Sequence, residues 1–250
     1  MTLYLLTGTD EKYYTKILPY LQTLEENSPA ETYLFTIGFQ VENPFYKVKY
    51  LYLPEEVFTD ITTNPCVQAG EFLNYFPCNN NDIIIFTDGD MRLQRKFTEE
   101  ELDLVTNLRY GEVLAGPNAT HGENTLINEL YGLGFNKQLY TGFEPFENEG
   151  IEWIEKTLNV GVIACTYATY KDIHFETYRL FRKYSGLTKH MARQQWFMNL
   201  AIYKLMKVKL LPFTFHSHPH NGYQEGRRFD KDGTMYINDT KVLFRHKYYV

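Results

Sequence analysis

The sequence N-D-I-I-I-F-T-D-G-D-M-R, residues Asn81–Arg92, is the most informative segment of the chain. Ile83–Phe86 is an apolar run with the length and branching of a buried strand. Asp88 and Asp90 follow it, and Gly89 between them permits a turn that brings both carboxylates to one place. Converging carboxylates repel one another unless a cation lies between them, usually a hard divalent ion. The stretch therefore predicts a strand that ends in a metal site, with a plain Asx turn as the alternative.

Length, charge and cysteine content limit the class of protein. The 250 residues suit one large domain or two small ones, and the formal charge of −6 disfavours a nucleic-acid binder, which normally carries a basic excess. Cys66, Cys78 and Cys165 fit neither a disulfide framework nor a zinc pattern, which favours a reducing compartment. No apolar stretch is long enough for a transmembrane segment. We therefore expect a soluble cytoplasmic protein.

Strand and helix patterns alternate through the first 115 residues. The predicted strands there are 3–6, 31–38, 48–53, 83–86 and 113–115, and the predicted helices follow Asp10, cover 68–76 and follow the Thr98–Glu101 capping box. The second half predicts helices near 150–158, over 171–183 and over 189–206, strands at 159–164, 208–211 and 242–244, and a Gly- and Asn-rich loop over 118–148. This alternation predicts an α/β fold with a mostly parallel central sheet flanked by helices. We see no repeat and no linker, so we expect a single domain over residues 1–250.

The residues Thr7-Gly8-Thr9-Asp10 lie where the first strand is predicted to end and a helix to begin. In an open α/β sheet this is where a nucleotide or phosphate binds, although Gly8 is equally explained as part of a tight turn. Asp10 can cap the helix. Tyr14 could stack on a base, but it also fits the apolar face of that helix.

Four histidines near the C-terminus are further candidates for metal ligands. His216, His218 and His220 alternate with Ser and Pro, which is typical of either a metal-binding tract or a solvent-exposed loop. His246 follows an apolar run and could return to the edge of the sheet beside the two aspartates.

Taken in order, these motifs resemble the GT-A glycosyltransferases, most closely the family 8 type that includes glycogenin and bacterial lipopolysaccharide galactosyltransferases. The resemblance covers nearly the whole chain. It includes the Thr-Gly-Thr-Asp segment after the first strand and the D-x-D after an apolar strand. It continues with Asn159-Val160-Gly161-Val162, which is N-A-G-V in the family, a helix that opens with Gln194-Gln195, and the late strand-end His246.

The resemblance implies a nucleotide-sugar-dependent hexosyltransferase. Its nucleotide-binding part would span about residues 1–115, and its acceptor and catalytic part about residues 116–250. The donor would be a nucleotide-diphosphate sugar, most simply a UDP-sugar, and the acceptor a glycan or another hydroxyl compound, with retention of configuration. The cofactor would be Mn²⁺ or Mg²⁺. The resemblance assigns nucleotide binding to Thr7, Thr9, Asp10, Tyr14, Asp88 and Gly89. It assigns metal binding to Asp88, Asp90 and His246, with His216 or His218 as the alternative to His246. It assigns the transfer site to Asn159, Gly161, Gln194 and Gln195.

Two features depart from the family pattern. Gln194 or Gln195 stands where the family usually carries Asp, and glutamine can be neither a nucleophile nor a base. Front-side attack assisted by the donor phosphate tolerates this replacement, so the stereochemical outcome stays open. The family's H-x-x-G-x-x-K-P-W pattern is not found after His246.

Two other functions are compatible with the motifs. A D-x-D phosphohydrolase would need the motif near the first strand, with Thr or Val two residues further on, where this chain has Arg92. A non-catalytic relative that binds a sugar or nucleotide differs from a transferase only in whether its metal and acceptor sites work.

Overall fold

A computed structural model of the chain describes residues 1–54, 76–117, 148–150, 158–184, 193–218 and 226–246. The helix expected over 68–76 and the loop expected over 118–148 lie outside the described residues except for their last positions. Residues 151–157 of the helix expected near 150–158, and the beginning of the one expected over 189–206, also lie outside them.

The strands form three sheets. In chain order the strands are β1 (Leu3–Asp10), β2 (Glu31–Ile37), β3 (Val48–Leu53), β4 (Ile83–Thr87), β5 (Met91–Leu93), β6 (Glu112–Pro117), β7 (Leu158–Thr166), β8 (Lys207–Leu210), β9 (His216–Ser217), β10 (Arg227–Phe229), β11 (Met235–Ile237), β12 (Thr240–Lys241) and β13 (Phe244–His246). The central sheet has seven strands in the order β3-β2-β1-β4-β7-β6-β8. Strand β7 is antiparallel to β4 and β6, and the other neighbours are parallel. The mostly parallel sheet is therefore confirmed.

The described helices are α1 (Glu11–Asn27), α2 (Glu99–Thr106), α3 (Tyr167–Tyr184) and α4 (Arg193–Leu205). Both predicted helix caps are present. The Asp10 carboxylate accepts a hydrogen bond from the Tyr13 backbone N–H, and Thr98 and Glu101 form the reciprocal capping box of α2. Within the described ranges, no helix is both long enough and apolar enough to cross a membrane.

The side chains of β4 alternate between the two faces of the central sheet. Ile83 and Ile85 pack in the core layer that contains Ile17 of α1, whereas Ile84 and Phe86 pack in the layer that contains residues of α3 and α4. Both layers are buried, which explains why β4 is a continuous apolar run instead of an alternating one.

Several predicted boundaries were wrong. Helix α3 begins at Tyr167 and not at 171, and the last strand covers Phe244–His246 and not 242–244. Strand β1 does not end before Thr7, because its parallel pairing with β2 continues to Asp10, opposite Ile37. Gly8 is therefore a strand residue and not part of a tight turn. Likewise, Leu158 belongs to β7, and Gly161 lies inside that strand.

Two small sheets complete the described part of the chain. One is antiparallel, β10-β11-β12, and the other has the order β5-β13-β9. The second sheet matters for function, because β5 follows the two aspartates directly and β13 contains His246.

Candidate active site

Asp88 and Asp90 lie in the turn that follows β4, at the C-terminal edge of the parallel strands. The Asp88 backbone N–H donates to the Gly161 carbonyl at 2.9 Å, which fixes the turn against β7. A Cβ atom at Gly89 would lie 3.1 Å from Ile17 Cδ1 and 3.3 Å from the Gly8 carbonyl oxygen. Glycine therefore allows the turn to pack closely against β1 and α1.

The pairing of β5 with β13 brings His246 to this turn. The two strands are antiparallel, and His246 lies opposite Met91, the residue after Asp90. His246 Nε2 lies 3.4 Å from Asp88 Oδ2 and 3.1 Å from Asp90 Oδ1. The structure thus places His246 beside the two aspartates, although Asp90 lies 156 residues earlier in the chain.

Glycines of the central sheet make room for two histidine rings. A Cβ atom at Gly161 would lie 2.5 Å from His246 Cε1, and one at Gly116 would lie 2.6 Å from His216 Nδ1. Asn159 supports this arrangement, because its side-chain oxygen accepts from the Gly161 N–H at 2.9 Å. Gly161 was a predicted site residue, but Gly116 was not. Gly116 lies one residue beyond the strand predicted over 113–115; in the structure it belongs to β6, where an interior glycine often marks a close approach of another group.

The electrostatics of His246 are set by burial and by the aspartates. Burial lowers the pKa of His246, but the hydrogen bonds and negative charges of Asp88 and Asp90 outweigh it and raise that pKa to about 9. The other ring nitrogen, Nδ1, is buried without a hydrogen-bond partner among the described residues.

This cluster is a suitable donor set for a divalent cation. One ligand atom from each of Asp88, Asp90 and His246 lies within 4.8 Å of the others, and no other group of three such residues occurs in the described ranges. The side chains of the aspartates are 33% and 37% exposed, so a cation there would keep positions open to a second ligand. Two carboxylate oxygens and an imidazole nitrogen fit Mn²⁺ or Mg²⁺.

The expectation of an exposed histidine loop was wrong for its described part. His216 belongs to β9, and His216 and His218 are 2% and 7% exposed. Their rings lie 5.5 Å and 4.9 Å from that of His246, between centroids. Burial and the neighbouring histidines hold the pKa of His216 well below its usual value. Neither residue joins the metal-capable group; His220 lies outside the described residues.

The candidate nucleotide-binding residues lie at the same edge of the sheet, because β1 pairs in parallel with β4. Thr7 is fully buried and Thr9 is 6% exposed, whereas Asp10 and Tyr14 are partly exposed. The Tyr14 hydroxyl lies 3.1 Å from that of Tyr50. Tyr14 therefore packs against the protein while retaining an accessible part.

The start of α4 is tied to the start of β7 by Asn199, a residue that the sequence analysis did not single out. Its side-chain oxygen accepts from the Leu158 N–H at 2.6 Å, and its nitrogen donates to the carbonyls of Leu158 and Gln195 at 2.9 Å and 2.7 Å. Gln195 is partly buried, and the side chain of Gln194 lies outside the described set. These bonds hold the first half of α4 against Leu158, the first residue of β7.

Comparisons with known proteins identify the fold. No protein-family model and no curated protein matches the chain by sequence. The solved structure of the galactosyltransferase LgtC in complex with donor and acceptor sugar analogues covers 97% of this chain and 86% of its own, with 13% identity and a TM-score of 0.64. An active-site mutant of LgtC, in which a glutamine is replaced by glutamate, gives the same coverages of 97% and 86%, with 11% identity and a TM-score of 0.62. The predicted GT-A fold, and with it the resemblance to the family 8 glycosyltransferases, is thus confirmed at the level of the fold.

Proposed function

We propose that this protein is a metal-dependent glycosyltransferase that moves a sugar from a nucleotide-diphosphate sugar to a hydroxyl acceptor. The observation that carries the proposal is the Asp88-Asp90-His246 cluster at the C-terminal edge of a GT-A sheet, which is where α/β folds bind ligands. The LgtC structure, with its donor and acceptor sugar analogues, supports sugars as both substrates. We take residues 1–250 as one domain, with the nucleotide side in the first 115.

Asp88, Asp90 and His246 would hold the cation through two oxygens and Nε2. Because imidazole binds Mn²⁺ more readily than Mg²⁺, we propose Mn²⁺. When bound, this ion neutralises the donor diphosphate and stabilises the charge of the departing nucleotide. The partly exposed carboxylates leave the donor a path to the site from solvent.

The edge formed by β1 would bind the nucleotide, for which we propose UDP. Asp10 and Thr9 lie at the end of β1, where they would contact the ribose, and the accessible part of Tyr14 would contact the base. Thr7 is fully buried, so its contribution would be to shape the strand end. Gly89 would let the diphosphate approach the backbone of the turn.

The transfer site would lie between β7 and the start of α4. Asn159 and Gly161 line the sheet beside His246, and Asn199 ties α4 to Leu158, the residue before Asn159. Glutamine cannot form a covalent intermediate, so we propose retention by front-side attack, with Gln194 or Gln195 hydrogen-bonding the sugar. A glutamine in the active site of LgtC is consistent with such a role. We assign acceptor choice to the 118–148 segment.

Calorimetric binding of UDP, GDP and TDP, each with Mn²⁺ and with EDTA, tests the proposal. We expect tight binding of UDP only with Mn²⁺, and its loss in Asp90→Ala. The matched control is Asp239→Ala, which removes an exposed carboxylate in a distant turn. Metal-independent nucleotide binding by the wild type, or full transferase activity in Asp90→Ala, would contradict the assignment. Nucleotide binding without sugar transfer would favour a non-catalytic relative.

A further inference from the structure

The position of His246 depends on the register between two very short strands. Strands β5 and β13 have three residues each, and they pair Phe244 with Leu93 and His246 with Met91. A slip of one residue would turn His246 to the other face, and a slip of two would move it by roughly 7 Å. Three residue pairs with β5 and two with β9 on the other side set this register, and a contact at the end of β5 adds to them.

Gln94 makes that contact from the end of β5. It is 8% exposed, and its backbone N–H donates to the Leu243 carbonyl at 2.9 Å. Its side-chain nitrogen donates to the carbonyls of Val242 at 2.9 Å and Met235 at 3.1 Å. Its side-chain oxygen accepts from the Met235 N–H at 2.9 Å.

The side-chain amide makes three of these bonds and the backbone N–H makes the fourth, and together they join three segments of the chain. Leu243 and Val242 directly precede β13, and Met235 begins β11. Gln94 therefore ties both the β10-β11-β12 sheet and the entry to β13 to the strand that follows Asp90. A side chain without both donor and acceptor groups cannot make this set of bonds.

We propose that Gln94 is a positioning residue for the metal site. It fixes the register of β13 on β5 and so holds His246 Nε2 beside Asp88 and Asp90. This inference rests on the proposed function, since it takes those three residues as the metal ligands. Gln94 itself does not contact the cation; its side chain acts through the backbone of Val242 and Met235.

The test is direct Mn²⁺ binding to the full-length Gln94→Met protein, measured by calorimetry and by the loss of the free Mn²⁺ electron paramagnetic resonance signal. Methionine nearly conserves the volume but has none of the amide hydrogen bonds. We expect an affinity about tenfold or more below that of the wild type, because residues that orient metal ligands have effects of this size. In sugar transfer, the Mn²⁺ concentration for half-maximal rate should rise by a similar factor, with turnover at saturating Mn²⁺ retained.

Asp82→Ala is the matched control for a purely structural effect. Asp82 is also buried, at 2% exposure, and its carboxylate accepts from the backbone N–H groups of Thr2 and Asn79 at 2.7 Å and 2.9 Å. It lies at the opposite end of β4 from the two aspartates. We expect Asp82→Ala to lower the melting temperature without changing Mn²⁺ affinity.

The outcomes separate this inference from the function on which it rests. A wild type that binds no Mn²⁺ would overturn the proposed function. A wild type that binds Mn²⁺ and a folded Gln94→Met that binds it equally well would overturn only the role of Gln94, as would an equal loss of affinity in Asp82→Ala. If Gln94→Met does not fold, Gln94→Asn gives the same comparison, because it keeps an amide that is one methylene too short. Unchanged Mn²⁺ affinity in Gln94→Asn would then overturn the inference.

Discussion

Two glycines on neighbouring strands determine where two histidine rings can lie. Gly161 and Gly116 belong to β7 and β6, and each has a histidine ring where its side chain would be. Most other residues of the two strands are buried, so the missing side chains provide the space that the two rings occupy. At this scale, the proposed metal binding would depend on a residue that offers no ligand atom.

We expect Gly161→Ala to weaken Mn²⁺ binding by about tenfold or more. The new methyl group would lie 2.5 Å from His246 Cε1 and 2.9 Å from Asn159 Oδ1, so the ring must move away from the aspartates. Overpacking of this kind also destabilises a core by about 1–3 kcal/mol. Calorimetric titration with Mn²⁺ at a temperature well below the melting point measures the change in Mn²⁺ affinity separately from the loss of stability.

Gly8→Ala is the control for a strand glycine. The nearest atom to its added methyl group, Phe35 Cβ, lies 3.7 Å away, which is ordinary van der Waals contact. Its Mn²⁺ affinity should equal that of the wild type. Equal affinities in Gly161→Ala and Gly8→Ala would show that His246 is not positioned by Gly161.

Single residues could be predicted where their chemistry is local. Asp88 and Asp90 stand out because two carboxylates after an apolar run have few structural roles. Gly161 was predicted only through the family resemblance, and Gln94 was not predicted at all. The partners of Gln94 are backbone groups 141 to 149 residues away, which no local pattern contains.

At the scale of elements, a cluster of charges connects α3, α4 and the 148–150 segment. The Glu149 side chain is 4% exposed and contacts Arg179, Lys183 and Lys204. Glu176 joins the cluster through Arg179 and Lys204, at 2.7 Å and 2.8 Å. The hydrogen bond with Arg179, followed by that with Lys204, lowers the pKa of Glu176 despite its burial. The network holds the C-terminal end of α4 against α3.

We expect Glu149→Gln to lower the free energy of unfolding by about 2 kcal/mol, because it removes a buried charge from hydrogen bonds with cations. The cations are 27–47% exposed, and solvent screening keeps the effect below that of a fully buried pair. Urea unfolding at two salt concentrations provides the measurement.

Glu31→Gln serves as the reference for an exposed pair. Glu31 and Lys49 are 45% and 54% exposed, so the loss of their salt bridge should cost about 0.5 kcal/mol or less. Similar costs for Glu149→Gln and Glu31→Gln would mean that the cluster contributes no more than an ordinary surface pair.

Elements with strong end signals were predicted well. Asp10 and the Thr98–Glu101 capping box begin α1 and α2 as expected, since caps act within one turn of the chain. The 216–218 tract was not recognised as buried, because a strand of two residues has no periodicity to read. Its burial results from pairing with β13, which is a tertiary contact.

At the scale of the whole molecule, the alternation of strands and helices could be predicted from the sequence, whereas the long-range pairing of strands could not. The α/β class followed from successive strands and helices in the first half. Strand β7 pairs antiparallel with β4, and β13 pairs with β5. Both pairings join segments more than 70 residues apart, so no local pattern along the chain determines them. The candidate site is built where these long-range pairings meet.

A buried histidine makes global stability depend on pH. His174 in α3 is 8% exposed, its Nε2 has no hydrogen-bond partner among the described residues, and its ring lies 4.4 Å from that of Tyr170. Burial lowers the pKa of His174 to about 3. The unfolded chain, in which this pKa returns to roughly 6.5, therefore binds more protons between these two values.

We expect the contribution of His174 to the free energy of unfolding to be fully present above pH 6.5. It should decline as the pH falls from there towards the folded-state pKa of about 3. Between pH 7 and pH 5 the decline amounts to about 2 kcal/mol of unfolding free energy. Urea unfolding of the wild type and of His174→Leu at both pH values isolates the contribution of His174, because every other titrating group is common to the two proteins. The wild type should lose about 2 kcal/mol more than His174→Leu on acidification. If both proteins lose the same amount, His174 is protonated in the folded state and its environment is not the apolar one that the structure describes.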